Sequence, residues 1–304
     1  MRTVWSPERY AALSPVDFMQ QGEREVNSLE EIIAAAAPRC YDEFLGSVPQ
    51  NRDVRRFLDD ARPCAVVVFD GLSLREIPLL LRLAAKSMLD VVDQPGTSLA
   101  AVPSDTTEFI EQRLGMGAIG PCQLPSRRAL SDAGIKAYYY DNHTRRHTLD
   151  ISCPALLLWS AFPDNTYSDS GARFTQHFEQ MHILLETAWM NTVQQIPHGR
   201  TILVTSDHGY VYFGPGMNFT RSNSEVRPLT EFFGAERFRR YSAQETPPTQ
   251  PDLLKLPNRG VAVIRGRVQT HPPGAAGSKL YKHGGLSLME TLTPWIVLKS
   301  GPPH

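Results

Sequence analysis

The chain has little cysteine and no long apolar run. Its four cysteines, Cys40, Cys64, Cys122 and Cys153, are scattered, with no Cys-x-x-Cys pair among them. Cys64 and Cys153 stand just ahead of apolar, strand-like runs, where a reduced and buried thiol is the default, and this suits a reducing cytoplasm. No stretch approaches the ~20 consecutive apolar residues that a membrane helix needs. The alanine run at 34–37 is short and flanked by charge. The first residues, Met-Arg-Thr-Val-Trp-Ser-Pro, lack the apolar core of a secretory signal. The expected location is therefore cytoplasmic, with no membrane partner. A formal net charge of −1 leaves no global field drawing the protein to nucleic acid or an anionic membrane, which still permits a local basic groove. There is no internal repeat and no low-complexity tract.

What is present is an ordinary globular composition, 41% hydrophobic and 21% charged, in a chain long enough for one large α/β domain with an appendage. Residues 1–60 carry no strand pattern. Within them, Asn27-Ser-Leu-Glu-Glu-Ile-Ile-Ala-Ala-Ala-Ala predicts a helix capped at Asn27 or Ser28 and broken by Pro38, followed by a second helical stretch towards Asp60. This segment is expected to pack on a main domain at 61–304. From 65 onward strands and helices alternate. Strands are expected at 65–69, 98–102, 136–140, 155–159, 201–205, 261–264 and 295–298, and helices at 73–86, 106–114 and 174–196. That alternation predicts a doubly wound, mostly parallel sheet with helices on both faces. The wholly apolar 155–159 should be central. Between 210 and 282 the pattern loosens at Gly214-Pro-Gly, Thr246-Pro-Pro-Thr and Pro272-Pro-Gly-Ala-Ala-Gly, so an irregular, lid-like insertion over the site is expected there.

Two strings carry the chemistry: Val-Val-Val-Phe-Asp-Gly at 66–71 and Thr-Ser-Asp-His-Gly at 205–209. In each, an apolar run stops at a metal-capable side chain followed by glycine. Ligands of parallel sheets bind at the carboxyl ends of strands, which is where Asp70, Asp207 and His208 would sit. Carboxylate oxygen and imidazole nitrogen together suit a divalent ion such as zinc. His283, opening His-Gly-Gly-Leu-Ser, offers a further ligand. Taken alone, Asp-Gly and His-Gly are also ordinary turn dipeptides.

The order of these strings resembles the alkaline phosphatase superfamily, and most closely its PglZ domain branch, known from bacterial phage-defence loci. The likeness rests on Val66-Val-Val-Phe-Asp-Gly-Leu-Ser, Val102-Pro-Ser-Asp-Thr-Thr, Val204-Thr-Ser-Asp-His-Gly-Tyr and His283-Gly-Gly-Leu-Ser-Leu-Met-Glu with the trailing Pro294, and spans about 60–300. It implies an alkaline-phosphatase-like fold and metal-dependent phosphoester hydrolysis. It also implies a hydroxyl nucleophile at the start of a helix, Thr106 with Ser104 in reserve. Asp70, Asp207 and His208 would surround the metal centre, at least two of them on one zinc ion, and Asp164 would share a second ion with His283; manganese or magnesium could substitute. The superfamily commonly places a histidine four residues after the second aspartate, where this chain has Ser168. His177, His182 or Asp169 could fill that place, and the departure weakens the second site. Glu290 is expected to support local structure or a ligand; Glu225 and Glu231 have no distinctive spacing.

The resemblance further implies phosphodiester or nucleic-acid substrates, and protein partners in a defence complex of the BREX kind. Arg237-Phe-Arg-Arg-Tyr interleaves cations with aromatics, so Arg237, Arg239 and Arg240 are candidates for gripping a phosphodiester backbone, against a solvated helix face as the plainer alternative. Two competing functions stand beside the phosphodiesterase: a catalytically weak PglZ-like scaffold, and a phosphomonoesterase or phosphomutase acting on a small metabolite.

Overall fold

Every residue of strand β1 (Cys64–Asp70) is buried, and its side chains alternate between two separate apolar clusters. Ala65, Val67 and Phe69 join Leu156 and Leu158 on one face, against Phe18, Leu80, Leu185 and Trp189 of the helices Pro15–Ala36, Ile77–Lys86 and Phe174–Asn191. Cys64, Val66 and Val68 join Leu157 and Trp159 on the other, against Leu58, Phe109 and Leu130 of Val54–Asp60, Thr106–Phe109 and Arg128–Asp132. A strand covered on both faces must be apolar throughout, which is why 64–69 reads as an unbroken run. The computed structural model describes residues 3–36, 52–167, 174–270 and 280–300.

The other strands are β2 (Leu89–Val91), β3 (Gly96–Leu99), β4 (Ile135–Tyr140), β5 (Ala155–Pro163), β6 (Thr201–Thr205), β7 (Val211–Tyr212), β8 (Phe238–Arg240), β9 (Leu253–Leu256), β10 (Val261–Ile264), β11 (Tyr281–Lys282) and β12 (Leu292–Ser300). The main sheet has seven strands in the order β2-β12-β6-β1-β5-β4, with β3 also pairing with β12. The run β6-β1-β5-β4 is parallel. The expected mixed α/β architecture, with a mostly parallel sheet and helices on both faces, is present. The wholly apolar run 155–159 opens β5, which lies inside the sheet between β1 and β4. Two expectations need correction. β12 runs antiparallel to β6, β2 and β3, so one edge of the sheet is mixed. The strand expected at 98–102 is β3, two residues earlier.

The helix Pro15–Ala36 does not begin at Asn27. It runs unbroken through Asn27 and Ser28, and the Ser28 hydroxyl donates to Arg24 O one turn back, satisfying itself inside the helix without capping one. The same helix carries Glu23 into the interior. There Glu23 accepts hydrogen bonds from the fully buried guanidiniums of Arg75 and Arg267. The N-terminal helix is thereby tied to the main sheet's side by apolar packing and buried ion pairs alike. Pro38 and the residues up to 51 lie outside the described residues, and the helical stretch expected towards Asp60 is present at its end as Val54–Asp60.

The segment 210–282 is more regular than its punctuation suggests. It holds the helix Asn223–Phe233, the antiparallel sheet β8-β10-β9, and β7 paired with β11. Val261–Ile264, expected in the main sheet, is the central strand of this smaller sheet. It is fully buried because each of its faces meets its own small apolar cluster. The Pro272-Pro-Gly tract lies outside the described residues. Among those described, no helix is long and apolar enough to cross a membrane.

Candidate metal centre

The ends of β1 and β6 are pinned to each other. Gly71 adopts φ +80°, a left-handed turn that a side chain would resist, and its N–H donates to Asp207 Oδ1 at 3.2 Å. Leu72 N donates to Ser206 Oγ at 2.9 Å, and Ser206 Oγ lies 2.6 Å from both Phe69 O and His208 O. Because β1 and β6 are parallel neighbours, with Val68 opposite Thr205, these bonds set Asp70 beside Asp207 and His208.

Thr106 closes the group from a third element. Asp105 caps the helix Thr106–Phe109 by accepting from Thr107 N, and so fixes where the next residue points. The Thr106 hydroxyl donates to Asp207 Oδ2 at 2.6 Å and lies 3.3 Å from both Asp70 Oδ1 and His208 Nε2. His208 Nε2 is 3.4 Å from Asp70 Oδ1 and 3.5 Å from Asp207 Oδ2. Asp70, Asp207 and His208 therefore present three ligand atoms within 4.8 Å of one another, all buried.

A second group is formed by Asp164, His208 and His283. Asp164 follows directly on β5, and its Oδ1 is 3.6 Å from His283 Nε2, with both side chains about one third exposed. Each histidine has its Nδ1 beside a backbone carbonyl: His208 at 2.9 Å from Gly209 O, His283 at 3.1 Å from Ser104 O. A carbonyl can only accept, so each Nδ1 donates there, and each Nε2 faces the carboxylates, where a proton or a metal ion can sit. That is the arrangement of metal-ligating histidines.

Electrostatics fit the same occupant. Burial, and then the charge of Asp207, push the Asp70 carboxyl up to about 7, with His208 opposing. Burial works against a charged His208, but Asp207, then Asp70 and Asp164, outweigh it and hold the imidazole well above its ordinary value. Carboxylates packed this closely need positive charge between them, and a divalent ion supplies it. The donor set, hard oxygen with imidazole nitrogen, fits zinc or manganese.

The structure thus brings together Asp70, Thr106, Asp207 and His208, and sets Asp164 and His283 beside them. Ser104 is placed otherwise. It is fully buried, donating from Oγ to Gly285 O at 2.9 Å and accepting from Gly284 N at 3.0 Å, so its hydroxyl is committed away from the carboxylates. Of the three arginines expected to grip a phosphodiester, Arg237 is withdrawn into the interior, and the side chains of Arg239 and Arg240 reach solvent but are paired. Arg237 is buried and bidentate on Glu290, at 2.6 and 2.9 Å, while Arg239 pairs with Glu245 and Arg240 with Glu108. Glu290 and Glu108 are remote in sequence from Arg237 and Arg240, which a local motif cannot reveal, whereas Glu245 lies six residues from Arg239. Glu290 supports local structure, as expected, taking Arg237, Gly285 N and Ser287 N. His182 faces Tyr10, Pro15 and Phe18 and joins neither ligand group. Ser168, Asp169 and the side chain of His177 lie outside the described residues, and Glu225 and Glu231 are exposed. One residue escaped the sequence reading: Trp159 on β5 donates its indole N–H to Asp70 Oδ2 at 3.3 Å. Only its place opposite Val68 of β1, two residues short of Asp70, hints at this.

No family model and no curated protein matches the chain. Among solved structures it is similar to phosphonoacetate hydrolase from Sinorhizobium meliloti 1021, with a TM-score of 0.41 and 14% identity over 78% of this chain and 90% of that one. It is also similar to murine ectonucleotide pyrophosphatase/phosphodiesterase 5, with a TM-score of 0.42 and 14% identity over 79% of this chain and 88% of that one. The human form of that protein gives a TM-score of 0.43 and 11% identity, covering 77% and 87%.

Proposed function

We propose that the protein is a metal-dependent phosphoester hydrolase with Thr106 as its nucleophile. The observation that carries this is the Thr106 hydroxyl, 2.6 to 3.3 Å from two buried carboxylates and an imidazole that converge from separate strand ends. Asp70, Asp207 and His208 would hold one ion, and Asp164 and His283 a second near it. Such an ion supplies positive charge that lowers the pKa of a neighbouring hydroxyl and shields the charge of a phosphoryl group. The hydrogen bond to Asp207 fixes the Thr106 rotamer, so that the oxygen is aimed before substrate arrives. As Thr106 Oγ1 bonds to phosphorus, the bond to the leaving oxygen breaks, giving a phospho- or nucleotidyl-threonine. Water then attacks the same phosphorus and returns the free hydroxyl.

The motifs that resemble the PglZ branch favour a phosphodiester substrate and a place beside protein partners in phage defence. Zinc is the first choice of ion, with manganese next. The test is to assay purified protein, with added zinc or manganese, on bis(p-nitrophenyl) phosphate, p-nitrophenyl phosphate and single-stranded oligonucleotides. Turnover of the diester above the monoester is expected. No turnover of any of the three by protein carrying bound metal would overturn the reading and leave a binding scaffold.

A further inference from the structure

We propose that Ser104, backed by the buried Arg237–Glu290 pair, is a positioning residue that aims His283 at Asp164. The proposal rests on the metal reading of that site and deepens it: it names what sets the geometry of the half-exposed second ligand group.

The turn 283–285 is gripped from two sides. On one side the Ser104 hydroxyl donates to Gly285 O and accepts from Gly284 N, while the Ser104 carbonyl takes the His283 Nδ1 proton at 3.1 Å. One residue thereby makes three hydrogen bonds to three successive residues of the turn. On the other side Glu290 Oε1 accepts from Gly285 N at 2.9 Å and from Arg237 Nε at 2.6 Å. Arg237 also donates to Gly266 O and Val268 O, which fixes its guanidinium against the smaller sheet. The fit is close: a Cβ on Gly285 would come within 2.8 Å of Ile264 O and closer still to the Arg237 guanidinium.

Ser104 is fully buried and Arg237 and Glu290 nearly so, and none of them contacts the carboxylates of the ligand groups. Ser104 and Glu290 bond the turn that bears His283 directly, and Arg237 holds Glu290 in place. A carbonyl that accepts from Nδ1 leaves the Nε2 lone pair as the ring's one free ligand position, and Nε2 faces Asp164 Oδ1. Ser104 also stands two residues before Thr106, so one short segment places both the proposed nucleophile and the histidine of the second group. The two residues singled out in the sequence for other tasks, Ser104 as a spare nucleophile and Arg237 as a phosphate grip, acquire a shared one.

The test uses ring-¹⁵N-labelled histidine in the metal-free protein, followed by zinc titration, for wild type and Ser104→Ala. In the wild type the His283 shifts should report the Nδ1–H tautomer. Alanine keeps the main-chain carbonyl but loses the two Oγ bonds that hold the turn against it. In Ser104→Ala the Nδ1 contact should therefore loosen, the shifts should move towards a mixture of tautomers, and affinity at the weaker of two zinc sites should fall by about ten- to a hundredfold, as for other residues that support a ligand. The stronger site should hold. Should Ser104→Ala fail to fold, the near-isosteric Ser104→Cys should show the same changes in smaller measure. Unchanged tautomer and unchanged zinc affinity in a folded variant would overturn the proposal. A wild type that hydrolyses no phosphoester yet shows the Ser104-dependent tautomer and zinc site would leave the positioning role standing and remove only the catalytic reading.

Discussion

His208 and His283 stack face to face, with ring centroids 4.0 Å apart and planes 12° from parallel. One ring follows β6 of the main sheet; the other hangs from a turn held by Ser104 and Glu290. His208 can serve either ligand group, whereas His283 serves only the half-exposed one. The stack therefore couples a rigid, buried group to one whose outer members reach solvent.

Asp207 anchors the buried group, so Asp207→Asn should cost ion binding more than fold. The amide keeps an oxygen for Gly71 N but loses the charge. Metal affinity should fall by more than the about 10–100-fold lost with a merely supporting residue, and hydrolysis with it. Elemental analysis after dialysis reads the outcome. A variant that retains the full ion content would remove Asp207 from the ligand set.

Thr106→Ala should abolish turnover, by roughly 10⁴–10⁶-fold, while metal content and the unfolding midpoint stay near wild type. The hydroxyl is small and half-buried, so little packing goes with it. Trapping a phosphorylated peptide from the wild type by rapid acid quench, and not from the variant, would locate the covalent step. Retained turnover would refute the nucleophile assignment.

Trp159→Phe removes the indole N–H that Asp70 Oδ2 accepts. A buried acceptor left unsatisfied costs about 1–3 kcal/mol, and a smaller ring adds a cavity term. Urea unfolding of the metal-free protein should show that loss, and zinc should bind more weakly because one ligand oxygen is no longer held. Equal stability and equal zinc affinity would mean that the 3.3 Å contact contributes nothing.

Burial raises the Glu30 carboxyl to about 7, against the opposing pull of Arg267 and of the Leu288 N–H, with Glu290 adding to the rise. The folded state then holds a proton that the unfolded chain has released. Stability should therefore fall as pH rises from about 4.5 to about 7, by roughly 3 kcal/mol in all at 1.36 kcal/mol per unit. Glu30→Gln mimics the protonated form and keeps an oxygen for Leu288 N. It should match wild type near pH 4.5, exceed it at pH 8, and flatten the slope between. Parallel curves for the two proteins in chemical denaturation across that range would rule out Glu30 as the source.

The parts of the fold built from single runs were legible in the sequence. β1, β5 and β6 are built on apolar runs because both their faces are covered, and the chemistry-bearing residues stand at or just past their ends. Strand direction was not legible: the run 295–298 looks the same parallel or antiparallel, and only its partners β6 and β3 decide. The smaller sheet was missed because its strands are short and one, Phe238–Arg240, carries two arginines, of which Arg240 finds its carboxylate far off at Glu108. Arg237 next to it is the clearest case. Nothing in the residues around it tells a solvated cation from a buried one that will meet Glu290.

The route of Glu23 and Glu30 through the interior bears on how this gene can be cut. A designer guided by composition would start an expression clone near residue 60, where the strand pattern begins. That clone would strip Arg75 and Arg267 of Glu23 and Leu288 N of Glu30, and would open to water the apolar face that Phe18, Met19 and Val26 cover. Losing that apolar burial, at about 25 cal/mol per Å² exposed, together with the ion pairs, takes a large part of the about 5–15 kcal/mol that holds an ordinary domain folded. Whatever is trimmed for crystals or assays, the helix Pro15–Ala36 belongs in the clone.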